Sequence, residues 1–446
     1  MKQLCVLLLL FAVGFTAVAG TDCWTYTPPA SGTRGSITWT DSSGFENVIK
    51  GVVLSGDQIR IIPGENKNST TLRNADFSVP VRDEGGSELA YSPDFLAGKD
   101  NTGQSILAYI DGLTNVVMNA NATSIGNYAL KSNPNLVRVR LNDGLQSIGT
   151  QAFHQDTALA VIENFLPDSV KTLGKEAFRE CKALVGPVVA RGLETVGDRV
   201  FHTDLVLVGA DLGGSTIETF PEYVFFTCPK LGSVVLPEST RVIGNGCFEA
   251  CSSLTNVTPL LPPRLETLGS DSNPTWRDDP IGGHVVSPPS LARIGTRAFR
   301  TSKIETFTAA KKGLKSIGQY AFFQNPNLTN VVLSATMESI TANWMEGSGT
   351  TGIEQHVWFR NLPASLPSGL WAGTKTQNIM IHLPWSQRDA WREWVASGPS
   401  GHTFTFNNTT KTLPEKIDDV GTWKSSITQN VTWWKDSDSR LAITIR

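Results

Sequence analysis

Residues 147–153 read Ser-Ile-Gly-Thr-Gln-Ala-Phe, and the phrase returns along the chain. It stands at 173–178 as LGKEAF, at 294–299 as IGTRAF and at 317–322 as IGQYAF. Looser copies occur at 196–201 (VGDRVF), 220–225 (FPEYVF) and 243–248 (IGNGCF). Its first apolar residue recurs at Ile125, Ile148, Leu173, Val196, Phe220, Ile243, Leu268, Ile294, Ile317 and Ile340, at intervals of 23 to 26 residues. A period of this size marks a repeat architecture, because no single unit can bury its apolar side without a neighbour.

A second set of anchors precedes each heptad. Leu136, Val139 and Leu141 have the spacing of Leu231, Val234 and Leu236, and of Leu328, Val331 and Leu333. LxxVxL puts the Val and the second Leu on the inner face of a short strand and the residues between them outside. Strands from successive units stack in parallel about 4.8 Å apart. The Gly after the Ile lets the chain bend without a Cβ clash. The Ala-Phe pair drops a small residue and a ring, with about 150–250 Å² to bury, into the interior. The expected fold is a β-rich solenoid of leucine-rich coils over 106–398, including a C-terminal cap.

The strand motif followed by IGxxAF and then Cys resembles the BspA-like class of leucine-rich repeats, over about residues 106–385. The resemblance implies a right-handed solenoid on a secreted or surface protein and, in some members, attachment to host proteins or other cells. It implies no catalytic residues, and no cofactor is expected.

The flanks read differently. Lys2, the apolar run at 6–13 and Ala17-Val18-Ala19 have the order of a secretory signal peptide spanning 1–19. Residues 20–105 lack the repeat. Ile37 and Trp39, then Ile59 and Ile61, alternate with polar neighbours between Gly- and Pro-rich turns. This reads as a β-rich N-terminal cap, needed because a bare first coil would expose a sheet edge and core, with an independent β-domain that has a binding role as the alternative. The repeat fades after Ile340. Trp344 or Met345 stands where Phe is due, a further coil is written at 366–371, and Trp391, Trp394 and Val395 have helical spacing. Residues 399–446 form a tail with a possible hairpin.

The 446 residues carry a net charge of −3, which gives no footprint for nucleic acid. Five cysteines follow the signal segment. Cys181, Cys228 and Cys251 each lie three residues after the repeat's aromatic, the periodic placement of small buried residues. A Cys228–Cys251 bridge is the alternative, and a metal site lacks a second ligand pair. His154 and His202 share one repeat position, read as a surface turn.

Three sets of residues are candidates for contact with a partner. The outward strand positions are Arg138 and Arg140, Ser233 and Val235, Asn256 and Thr258, Asn330 and Val332. At 269–283 the Ala-Phe pair is missing, and GSDSNPTWRDDPIGG reads either as a tolerated polar loop or as a contact loop carrying Trp276. Its Asp278 and Asp279, like Asp436 and Asp438, read as surface acids. Trp433 and Trp434 are adjacent, so a strand must turn one of them outward. No nucleophile elbow or P-loop is present. The expected function is adhesion or protein recognition, outside the cell or at its surface, without catalysis and without a transmembrane segment in the mature chain. The alternative is a glycan-binding or carbohydrate-active protein that uses the C-terminal tryptophans.

Overall fold

The computed structural model describes residues 23–361, apart from 63–64, 97–105, 271–274, 342 and 350–353. Beyond them it describes the backbone strands at 378–384, 403–406, 409–412, 423–424 and 429–434. The signal segment, the coil at 366–371, the helix around Trp391 and the end of the tail lie outside the described residues.

The first strands are β1 (Trp24–Thr27), β2 (Gly35–Thr40), β3 (Glu46–Ser55), β4 (Gln58–Ile61), β5 (Asn74–Asp76), β6 (Val81–Arg82) and β7 (Glu88–Tyr91). All but β5 close into a barrel in the order β1-β2-β3-β4-β7-β6. Alternation turns Trp24, Ile37, Ile49, Val52 and Ile59 into its fully buried core. β5 instead pairs in parallel with β8 (Asn115–Val117), the first strand of the solenoid, so one sheet runs from this region into the repeats. Polar contacts tie the two together. Asp41 accepts from the side chains of Ser43, Asn47 and Asn74, and Asn47 Oδ1 accepts from the backbone N–H groups of Arg73 and Asn74. Burial pulls the Asp41 carboxyl up, and these donors outweigh it and hold the group below its ordinary range.

Ten coils follow, numbered here by their anchors from Ile125 (coil 1) to Ile340 (coil 10). Each has three sides. The long side is the LxxVxL strand, as at Arg138–Arg140 in coil 2. The short side is a two-residue strand ending on the anchor, as at Ser147–Ile148. The third side is the turn carrying Ala-Phe. It is bonded to the next coil as regularly as a sheet: Gln151, Phe153 and Gln155 donate their N–H groups to the carbonyls of Lys175, Ala177 and Arg179. To present alternate N–H groups along one direction, the chain turns left-handed at residues such as Gln151 and Gln155, with φ of 54° and 66°.

The Ala-Phe ring is where the coils meet. Phe153, Phe178, Phe201, Phe225 and Phe248 stack at centroid distances of 5.1, 5.6, 5.4 and 5.5 Å, with ring planes within 13° of parallel. All five are buried. The repeat glycine serves this stacking. A Cβ on Gly174 would lie 2.4 Å from the backbone N of Thr150 in the coil below. The constraint is close approach between coils rather than a bend within one.

The solenoid expected from the repeat is present, with one correction. The ring of coil 7 is not missing. Thr275 and Trp276 occupy the Ala and Phe places: Phe248 donates to the Thr275 carbonyl and Trp276 donates to that of Ala298. The indole stacks on Phe248 at 4.3 Å and 4°. It is fully buried and therefore no contact residue. Asp279 is buried too, accepting the Cys251 N–H at 2.7 Å. The pair was displaced by three extra residues between anchor and ring, and the demand for a large ring in the stack restored it.

The sheets are not continuous along the axis. The long side breaks between coils 3 and 4 and between coils 7 and 8, and the short side breaks between coils 4 and 5. Wherever one side breaks, the other is intact. The break before coil 4 has a local cause: Pro187, at the start of its long strand, has no N–H to give to coil 3.

Candidate binding surface

The outward residues of the long side form two columns, flanking the buried centre of each strand. The register places Arg138 beside Asn115 and Val161, and Arg140 beside Val117 and Glu163. Arg138 is half-buried and paired with Glu163 at 2.9 Å. Arg140 is exposed and has no ion-pair partner among the described residues. It lines a cleft of about 590 Å³ at the corner where the long side turns into the short one. Ser78, Asn142, Asp143, Glu163 and Asn164 line it as well. The walls are fixed from behind: Asn142 donates to the carbonyls of Ala120 and Ala122, and Asn164 donates to Asp143 at 2.7 Å. The cleft is a preformed notch of mixed lining, with Met118, Ala120 and Leu141 beside the polar groups and Arg140 as its one cation.

Farther along, Ser233, Asn256 and Thr258 are exposed, and Val235 is 38% exposed. With Val161, Val189 and Val286 this face mixes aliphatic and hydrogen-bonding groups. Asn330 is half-buried. Val332 does not belong to the face. It is only 5% exposed, because the next member of its column is the wide indole of Trp358. Trp433 and Trp434 lie on the strand Gln429–Trp434, which pairs in parallel with Asn378–Pro384 and so extends the long-side sheet. Their side chains are outside the described residues.

At that end the register brings together residues whose spacing in sequence gave no signal. His356 and His382 share a hydrogen bond of 2.8 Å between Nδ1 and Nε2, and the His382 ring lies on Trp358 at 3.5 Å. Burial, then His356, pushes His382 down to about 4. Among the described residues no group of three or more His, Cys, Asp or Glu is placed to hold a metal ion.

The turn side is different. Lys131 donates to Gln151, Gln151 donates to Glu176, and Arg179 bridges Glu176 and Glu180 at 3.3 and 3.2 Å. Arg199, Arg297 and Arg300 lie over the rings of Tyr223, Tyr320 and Phe323. His154 is buried within this network rather than on a surface turn, since the longer side chains of the coils on either side cover it. Burial, then Lys131 and Arg179, lowers its pKa. From Lys131 to Glu180 the turn-side groups bind one another, and Arg199, Arg297 and Arg300 rest on rings, whereas Arg140 on the long side has no ion-pair partner among the described residues.

The BspA type leucine rich repeat region matches the sequence in six copies, over residues 100–218, 216–272 and 283–359. That is more than half of the chain. The chain belongs to this family. The gap between the last two matches is where coil 7 carries its extra residues. Among solved structures, this BspA-type chain is similar to a leucine-rich repeat protein from Bacteroides ovatus. The two share 18% identity over 93% of this chain and 99% of that one, with a TM-score of 0.48. It is similar also to a leucine rich cell surface protein from Faecalibacterium prausnitzii, with 20% identity, 80% and 88% coverage and a TM-score of 0.40. A leucine-rich repeat protein from T. pallidum shares 27% identity over 41% of this chain and 84% of that one, with a TM-score of 0.33. Comparison with curated proteins gives no match.

Proposed function

We propose that this BspA-type chain is an exported, non-catalytic recognition protein that binds a protein partner at the cell surface through the long side of its solenoid. The observation that carries this reading is Arg140, exposed and without an ion-pair partner among the described residues, at a preformed cleft of the long side. Beyond it lie the exposed Ser233, Val235, Asn256 and Thr258. A mixed, nearly neutral face of this kind suits a folded protein better than a polyanion. Ten coils at strand spacing offer about 45–50 Å of length, enough for a partner covering about 800 Å². Export is supported by the composition of residues 1–19, and among the described residues no helix is long and apolar enough to cross a membrane.

The test is a binding screen of purified protein against immobilised extracellular proteins and a glycan array. Wild type is compared with Arg140→Glu and with a Trp433→Ala/Trp434→Ala variant. Saturable protein binding weakened at least about tenfold by Arg140→Glu, the size expected for losing a charge contact at an interface, is the expected result. Binding confined to sugars and abolished only by the tryptophan variant would replace this reading with glycan recognition. Cleavage of a polysaccharide by the purified chain would overturn the non-catalytic assignment.

A further inference from the structure

One position of the coil is polar and fully buried throughout the array. Three residues after the ring place stand Asn133, Asp156, Cys181, Asp204, Cys228, Cys251, Asp279, Ser302, Asn325 and Ser348, all at zero exposure. Where hydrogens can be assigned, the side chain has two tasks. It accepts the backbone N–H of its counterpart one coil earlier, as Ser348 Oγ does from Asn325. It also donates to the main-chain carbonyl at the ring place one coil earlier. Cys181, Cys228 and Cys251 donate Sγ–H to Phe153, Phe201 and Phe225 at 3.1, 3.0 and 3.1 Å, and Asn325 donates to Phe299 at 2.7 Å.

The three aspartates perform the first task with Oδ1, accepting from Asn133, Cys181 and Cys251 at 2.7, 2.9 and 2.7 Å. In each of them Oδ2 is buried and receives no hydrogen bond. An ionised carboxylate there would put a bare oxygen where Asn133, Cys181, Cys228, Cys251, Asn325 and Ser348 present a donor, Ser302 turning instead to the Phe299 carbonyl of its own coil. By correspondence with those residues the bare oxygen would also face a carbonyl oxygen. We propose that Asp156, Asp204 and Asp279 are built into the solenoid as neutral carboxylic acids, each giving its Oδ2–H to the ring-place carbonyl one coil earlier, at Leu130, Phe178 and Phe248. The inference is independent of the proposed function, since no partner is involved.

The surroundings favour the neutral form. Facing these groups are the thiols of Cys181, Cys228, Cys247 and Cys251 and the carboxylates of Glu180, Glu249 and Asp278. The nearby cations Arg179 and Arg277 are bound to those outer carboxylates. Burial accordingly pushes all three aspartates well above the ordinary range. Above the unfolded pKa near 3.8 the folded chain holds protons that the unfolded chain has released. Stability therefore falls as pH rises through and beyond that value, toward the folded pKa. The contribution of these three groups is therefore greatest in acid, the reverse of that of a salt-bridged aspartate.

The decisive variant is Asp204→Asn in the full chain. It keeps the acceptor, supplies a permanent donor and copies Asn325, which the fold already accommodates. The expected result is a Tm a few degrees above wild type at pH 8, with the two converging near pH 4. Asp278→Asn, at an exposed carboxylate beside the column, should show no such gain. In the infrared spectrum at pH 7, wild type should show the carbonyl stretch of a protonated carboxylic acid, weakened in Asp204→Asn. A lower Tm for Asp204→Asn at pH 8, or no protonated-acid band in wild type, would overturn the proposal.

Discussion

Phe153 shows what a single residue does in this architecture. Its ring lies against Phe178 at 5.1 Å and 5°, with no exposed surface. Truncation removes a ring from a column that no neighbour can refill. Phe153→Ala should therefore lower stability by roughly 3–5 kcal/mol in a denaturant titration. Gly174 is constrained from the opposite direction, since a Cβ 2.4 Å from the Thr150 nitrogen must push two coils apart. Gly174→Ala should cost about 1–3 kcal/mol by overpacking, read as a fall in Tm. Rings and glycines were legible in the sequence because their chemistry is periodic and singular. The left-handed residues were not, because Gln151, Glu176 and Arg199 share no side-chain property and only the backbone repeats. Trp276 and Asp279 escaped for a further reason. They are in phase with each other but lie three residues late relative to the anchor Leu268.

At the scale of the element, coil 4 is the least supported part of the array. Its long strand, Pro187–Val189, pairs only forward with Gly209–Asp211, and its short strand, Thr195–Val196, pairs only backward with Thr172–Leu173. Its turn is bonded on both sides. Coil 9, by contrast, is paired fore and aft on its long and short sides. Native-state hydrogen exchange should find the strand amides of coil 4 opening before those of coil 9. Equal protection in the two would contradict the assigned pairing. Pro187 and the longer interval from Ile148 to Leu173 are both visible in the sequence. Their consequence is not, because whether neighbouring strands still bond depends on register. The candidate surface was legible in the same uneven way. Alternation correctly turned Arg140, Ser233, Val235, Asn256 and Thr258 outward, but burial of Val332 depends on Trp358, which is not adjacent in sequence.

Taken whole, the molecule is a barrel joined to a three-sided stack through β5, with its polar groups divided between two roles. Those inside and on the turn side bind coil to coil. On the long side Arg138 and Glu163 also bind coil to coil, while Arg140, Ser233, Asn256 and Thr258 face outward. The discontinuities bear on this division if the protein is held at a surface while a partner is attached. A load applied along the axis falls in series on every junction between coils. The junctions on either side of coil 4, like the one between coils 7 and 8, each lack one of the three rows of bonds, so the stack parts first at one of these three. The barrel and the Arg140 cleft then remain together on one piece, and the later coils are paid out as slack chain.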